Sequence, residues 1–138
     1  MKLFHLRQLI LLAASVSAVA LLGTAGATPA FAVTTTSNCT FGSSSGNVRT
    51  CINVTHNGTF VDSAKGTATV INVGRNLEEC IFGPDFTKCS GFKFVSAGST
   101  LSEPVTVNRT DPGKYCAVTK RKNSDGTVAQ IGTACVTI

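Results

Sequence analysis

Apolar and polar residues alternate along this chain in short runs separated by turn residues, and no run carries the 3.6-residue period of an amphipathic helix. The clearest unit is the last one, residues 114–138. Two stretches rich in Val, Thr and Ala flank Asp125-Gly126, a dipeptide suited to a type I′ turn because both central positions need φ > 0. Counting outward from a turn there places Ser124 opposite Thr127, Val118 opposite Thr133 and Cys116 opposite Cys135. A three-residue loop with a bulge would shift that register by one.

Two further hairpins follow from the same reasoning. In residues 48–55, Val48, Ile52 and Val54 form one face while Arg49, Asn53 and Thr55 look outward, the pattern of a half-buried strand. Joined to Cys39-Thr40-Phe41 through a loop over residues 43–47, this strand sets Cys39 opposite Cys51. Pro84-Asp85 suits the centre of a type I turn and sets Cys80 opposite Cys89.

Between these hairpins, residues 59–61, 67–73, 92–95 and 105–108 read as strands, the last with Pro104 at its start. Turn signals stand at His56-Asn57-Gly58, Gly74-Arg75-Asn76, Gly98-Ser99 and Asp111-Pro112-Gly113. Residues 33–38 read as a loose polar start. Residues 77–90 are the least regular, and Glu78-Glu79 opens no run long enough for a helix. About seven short strands at this spacing predict an all-β, antiparallel β-sandwich.

The first residues stand apart from that pattern. Lys2 and Arg7 precede an apolar run over residues 9–22, and Ala30-Phe31-Ala32 fits a small-x-small cleavage site. Residues 1–32 therefore read as a signal peptide and residues 33–138 as one domain of 138 − 32 = 106 residues, secreted and extracellular. The apolar run is short and is followed by Gly23, Gly26 and Pro29, so no membrane span is expected. Loss of Lys2 and Arg7 lowers the net charge from +5 to +3.

All six cysteines fall within residues 33–138. An even count in an exported chain implies disulfides, and the three hairpins pair neighbours: Cys39 with Cys51, Cys80 with Cys89, Cys116 with Cys135. The domain has no C-x-x-C and one histidine, so neither a metal nor another cofactor is expected.

Gly113-Lys114-Tyr115-Cys116-Ala117-Val118, entered through Asp111-Pro112, resembles the late strands and tyrosine corner of immunoglobulin-like sandwiches. In that family the cysteine stands two residues after the tyrosine. Here it is adjacent, which turns it to the opposite face. The resemblance implies an immunoglobulin-like fold and offers a competing bridge between sheets, Cys51 to Cys116. With Asn38-Cys39-Thr40-Phe41-Gly42 at the start and Ile131-Gly132-Thr133-Ala134-Cys135-Val136 at the end, the domain is also similar to small secreted proteins of actinomycetes, a group that brings no activity with it.

Candidate chemistry is sparse. His56 lies in a turn with no marked nucleophile or acid beside it, and Glu78, Glu79 and Asp85 read as solvated charges, adjacent strand residues pointing to opposite faces. No catalytic machinery is expected. Lys120-Arg121-Lys122 is the one candidate interaction site. It could meet an anionic cell-envelope polymer or a secreted protein, or form the rigid loop of a hydrolase inhibitor. A basic antimicrobial protein is a further reading. Nucleic acid is not expected, because the cations are not interleaved with aromatics. The Asn-x-Thr sequons at Asn38, Asn53, Asn57 and Asn108 are glycan acceptors only in a host that glycosylates exported chains.

Overall fold

The computed structural model describes residues 32–42, 47–109 and 112–138. The expected signal peptide lies outside the described residues except for Ala32. The rest forms nine strands: β1 (Thr34–Phe41), β2 (Val48–Asn57), β3 (Phe60–Val70), β4 (Arg75–Phe82), β5 (Thr87–Cys89), β6 (Lys93–Val95), β7 (Thr100–Arg109), β8 (Lys114–Lys122) and β9 (Val128–Thr137). All pairings are antiparallel. They make one sheet in the order β1-β2-β3-β7 and a second in the order β5-β4-β8-β9, with β6 also on β4. The architecture is thus all-β with two facing sheets.

Inward residues of both sheets share the core. Ile52, Val54, Val61 and Ala64 meet Ile81, Tyr115, Ala117, Ala134 and Val136 in one cluster, while Val48, Ala68, Val70 and Leu101 meet Leu77, Val95 and Ile131 in another. Between the clusters lies a polar belt. Thr50, Glu79 and Thr119 are each 0% exposed. The Thr50 and Thr119 hydroxyls lie 2.6 Å apart, and Thr119 Oγ1 donates to Glu79 Oε2 at 2.6 Å. Two glycines make room for the belt. A Cβ at Gly66 would stand 2.9 Å from Glu79 Oε1, and one at Gly132 would collide with the Thr50 hydroxyl.

Each disulfide joins directly opposed residues of neighbouring strands: Cys39–Cys51, Cys80–Cys89 and Cys116–Cys135. The alternative bridge from Cys51 to Cys116 is not formed. Tyr115 is fully buried between the sheets while Cys116 is only half-buried, as the adjacency of the two residues requires. Loops closed by bonds separated by 12, 9 and 19 residues each remove on the order of 3 kcal/mol of chain entropy from the unfolded state.

The last hairpin reaches its expected bridge by an unexpected route. Gly126 N–H donates to Asn123 O, Asn123 N–H donates to Thr127 O, and Gly126 has φ 86° while Asp125 is not in the positive-φ region. The turn is therefore a three-residue loop with a glycine bulge, not type I′. It shifts the register so that Lys120 faces Gln130, and a second irregularity at Ile131 restores Val118 opposite Thr133. The two one-residue offsets cancel before Cys116.

Four other expectations need correction. Residues 33–38 are not a loose start, because β1 runs from Thr34. The expected segments 59–61 and 67–73 belong to one strand, β3, only over residues 60–61 and 67–70, with Thr59 and residues 71–73 outside it, and its inward Gly66 faces Glu79 between the small Ala64 and Ala68. Residues 77–90 are regular, forming β4 and β5, and β4 pairs with β8 on one side and with β5 and β6 on the other. Pro104 lies inside β7, not at its start. This strand is at a sheet edge, and the Pro104 carbonyl accepts from Lys88 Nζ at 2.9 Å across the gap to the other sheet. The missing N–H points the same way, so no ladder bond is lost.

Both open sides of the sandwich are laced by side chains. Asn38 Nδ2 donates to Cys135 O at 2.9 Å and Thr40 Oγ1 to Thr133 O at 2.8 Å, tying β1 to β9. Lys88 pairs with Glu103 at 3.0 Å on the other side. These contacts occupy edge groups that would otherwise be open to pairing with another strand.

Candidate functional site

Four connections gather at one end of the sandwich, where β2, β4, β7 and β9 begin and β3 and β8 finish. Three of them, after β1, β3 and β6, brace one another. Ile71 N–H donates to Asn47 O at 2.7 Å, Gly98 N–H to Val70 O at 2.8 Å, and Asn72 Nδ2 to Asn47 Oδ1 at 3.0 Å. A cleft of about 510 Å³ opens there between the start of β4, β6 and the end of β8.

Strand alternation builds its floor. Leu77, Glu79 and Ile81 of β4, and Tyr115, Ala117 and Thr119 of β8, are buried and form the inward columns. The same columns continue outward to Arg75 and Arg121. Leu77 faces Arg121 across the β4–β8 ladder, so Arg75 is its diagonal neighbour, roughly 7–8 Å away along the sheet. Both arginines line the cleft with Lys122. The Nε atoms of Arg75 and Arg121 are buried and have no hydrogen-bond partner among the described residues. No carboxylate is among the lining residues.

Asn76, Asn123 and Ser124 add neutral polar groups to the lining. Asn123 Nδ2 is already donating to Thr127 Oγ1 at 2.9 Å, which leaves its carbonyl oxygen to accept. Phe94 forms an apolar wall and is 72% exposed. Its ring is seated against Gly74, where a Cβ would stand 2.6 Å from Phe94 Cζ.

The expected triplet divides between these surroundings. Lys120 lies outside the cleft lining and pairs with Glu78 Oε2 at 3.3 Å, so its charge is already met. Arg121 and Lys122 remain at the cleft. Sequence reasoning missed Arg75, which it placed in a turn, and Phe94, which it treated as an ordinary strand residue. Only the β4–β8 and β4–β6 registers bring them to one cleft, Arg75 in the inward column next to Arg121 and Phe94 with Asn76 and Lys122 on the outward face of the sheet end.

The other candidates resolve differently. His56 is in β2, not in the turn, and is half-buried. Its Nδ1–H donates to Gly58 O at 2.8 Å and its Nε2 meets Thr36 Oγ1 at 2.8 Å. Glu78 and Glu79 do point to opposite faces, but Glu79 is buried rather than solvated, and burial pushes its carboxyl up to about 7 against a partial offset from the Thr119 hydroxyl. The Glu78, Cys80 and Cys89 donor atoms lie within 4.8 Å of one another, but both sulfurs are in a disulfide and offer no thiolate. Among the described residues, no helix is long and apolar enough to cross a membrane. Comparison with protein-family models, curated proteins and solved structures finds no match to this chain.

Proposed function

We propose that this chain is a secreted, non-enzymatic binding module with an immunoglobulin-like sandwich, and that it engages an anionic extracellular partner through the cleft at Arg75 and Arg121. Three disulfides are compatible with an exported protein. The observation that carries the reading is the pair of arginines, neither in a salt bridge among the described residues, in a cleft whose lining has no carboxylate. A carboxylate or phosphate seated between the guanidinium groups meets both charges through charge-assisted hydrogen bonds to their exposed ends. The inhibitor reading is less well supported, because Arg121 is half-buried in the β8 ladder rather than presented on an exposed loop.

Retention on an anionic matrix as salt is raised tests the proposal. The double variant Arg75→Gln/Arg121→Gln should elute well before Lys65→Gln/Lys114→Gln, which removes the same charge from exposed sites outside the cleft. Equal loss in both variants would mean that net charge, not the cleft, holds the partner.

A further inference from the structure

We propose that the partner is an anionic carbohydrate, bound with its charged group between Arg75 and Arg121 and an apolar sugar face against Phe94. This rests on the anion reading above and names the chemical class. The lining of the cleft, which wraps the end of the sheet, offers three kinds of contact. Arg75, Arg121 and Lys122 supply positive charge, Asn76, Asn123 and Ser124 supply neutral hydrogen-bonding groups, and Phe94 supplies an aromatic ring. A simple polyanion uses only the first. A sugar bearing a carboxylate or phosphate uses all three: its hydroxyls match the amide and hydroxyl groups, and its polarised C–H face packs on the electron-rich ring face.

Phe94 is the discriminating residue. It is the most exposed large apolar side chain among the described residues, at 72%, and it stands beside cations rather than in an apolar patch. The cleft volume of about 510 Å³ is within the range of small-ligand sites, roughly 300–1,000 Å³. Its lining runs from the last ladder pair of β4 with β8, Asn76 and Lys122, to Asn123 and Ser124 of the following loop at the end of the sandwich. Nucleic acid fits less well, because one aromatic ring provides no series of stacking platforms.

The test uses the oxidised protein and four polymers at low and high salt: polygalacturonate, phosphomannan, neutral dextran and poly-L-glutamate. Anionic phosphatidylglycerol vesicles serve as a fifth probe. Calorimetry should show saturable binding of polygalacturonate or phosphomannan, and which of the two binds identifies the charged group. Dextran, polyglutamate and vesicles should bind at least about tenfold more weakly. Phe94→Ala should weaken glycan binding by roughly three- to tenfold with an unchanged salt slope, whereas Arg121→Gln should reduce both affinity and slope. Equal binding of polyglutamate, or preference for vesicles, together with no effect of Phe94→Ala, would overturn the carbohydrate assignment and leave the anion site standing. Failure to bind any of the charged probes would overturn both.

Discussion

Replacing Glu79 with Gln should remove a pH dependence of stability that the wild-type fold carries in its core. Glu79 is fully buried, and its carboxyl rises from an ordinary 4.5 to about 7, chiefly through loss of solvation. In the unfolded chain it regains the ordinary value. Below that value both states hold the proton and the wild-type protein suffers no penalty. As the pH rises towards the folded value, the unfolded chain releases the proton while the folded chain keeps it, so stability falls. Above the folded value the loss levels off. A shift from 4.5 to about 7 is worth roughly 3 kcal/mol, at 1.36 kcal/mol per unit. Urea unfolding of the oxidised protein from about pH 4 to pH 9 measures it. Every other ionisable group is common to both proteins, so the difference between the two profiles isolates Glu79. The wild type should lose roughly 3 kcal/mol relative to Glu79→Gln across this range. Parallel profiles, or a wild type that gains stability relative to the variant, would refute the reasoning.

Four further outcomes follow from the packing. Gly66→Ala sets a Cβ 2.9 Å from Glu79 Oε1 and should cost about 1–3 kcal/mol by overpacking, measured by the same unfolding assay. Asn108 has φ 51° at the irregular end of the β3–β7 ladder; Asn108→Val should destabilise by about 1–2 kcal/mol while Asn108→Gly should not. Replacing Cys116 and Cys135 together by Ala should cost about 2–5 kcal/mol and leave the two shorter hairpin bonds intact, seen by unfolding and by mass of the alkylated protein. Asp125 accepts from the Thr127 hydroxyl and N–H at 2.6 and 2.9 Å, which holds its carboxyl below its ordinary value; hydrogen exchange at the Thr127 amide should therefore accelerate relative to the intrinsic rate only below that ordinary value, and an earlier loss of protection would contradict the contact.

The turn residues made much of the sandwich legible. Pro84-Asp85 placed Cys80 against Cys89, and the loop over residues 43–47 placed Cys39 against Cys51, as observed. The third pair came out right although its turn was misassigned, because the bulge at Ile131 undoes the offset of the loop. What stayed hidden has a common cause in side chains that contradict their positions. Glu79 occupies a core site and so masked the inward alternation of Leu77, Glu79 and Ile81, while Gly66 and the alanines opposite made β3 look interrupted. Edge strand β1 has no fully buried side chain and therefore no hydrophobic period. Its ladder, its disulfide and the Asn38 and Thr40 bonds to β9 hold it instead. For the cleft, Arg121 and Lys122 were visible as a charge run, but the proximity of Arg75 and Phe94 depends on strand order, which no local pattern encodes.

The most direct measurement of the anion site is a nuclear magnetic resonance titration of the arginine side chains with an acidic oligogalacturonide. If the cleft is the site, the Nε–H signals of Arg75 and Arg121 shift together, saturate at one common ligand concentration and slow their exchange with water, while that of exposed Arg49 stays in place. Uniform, non-saturating drift of every arginine signal, or movement of Arg49 ahead of the other two, would contradict a built site at the end of the sandwich.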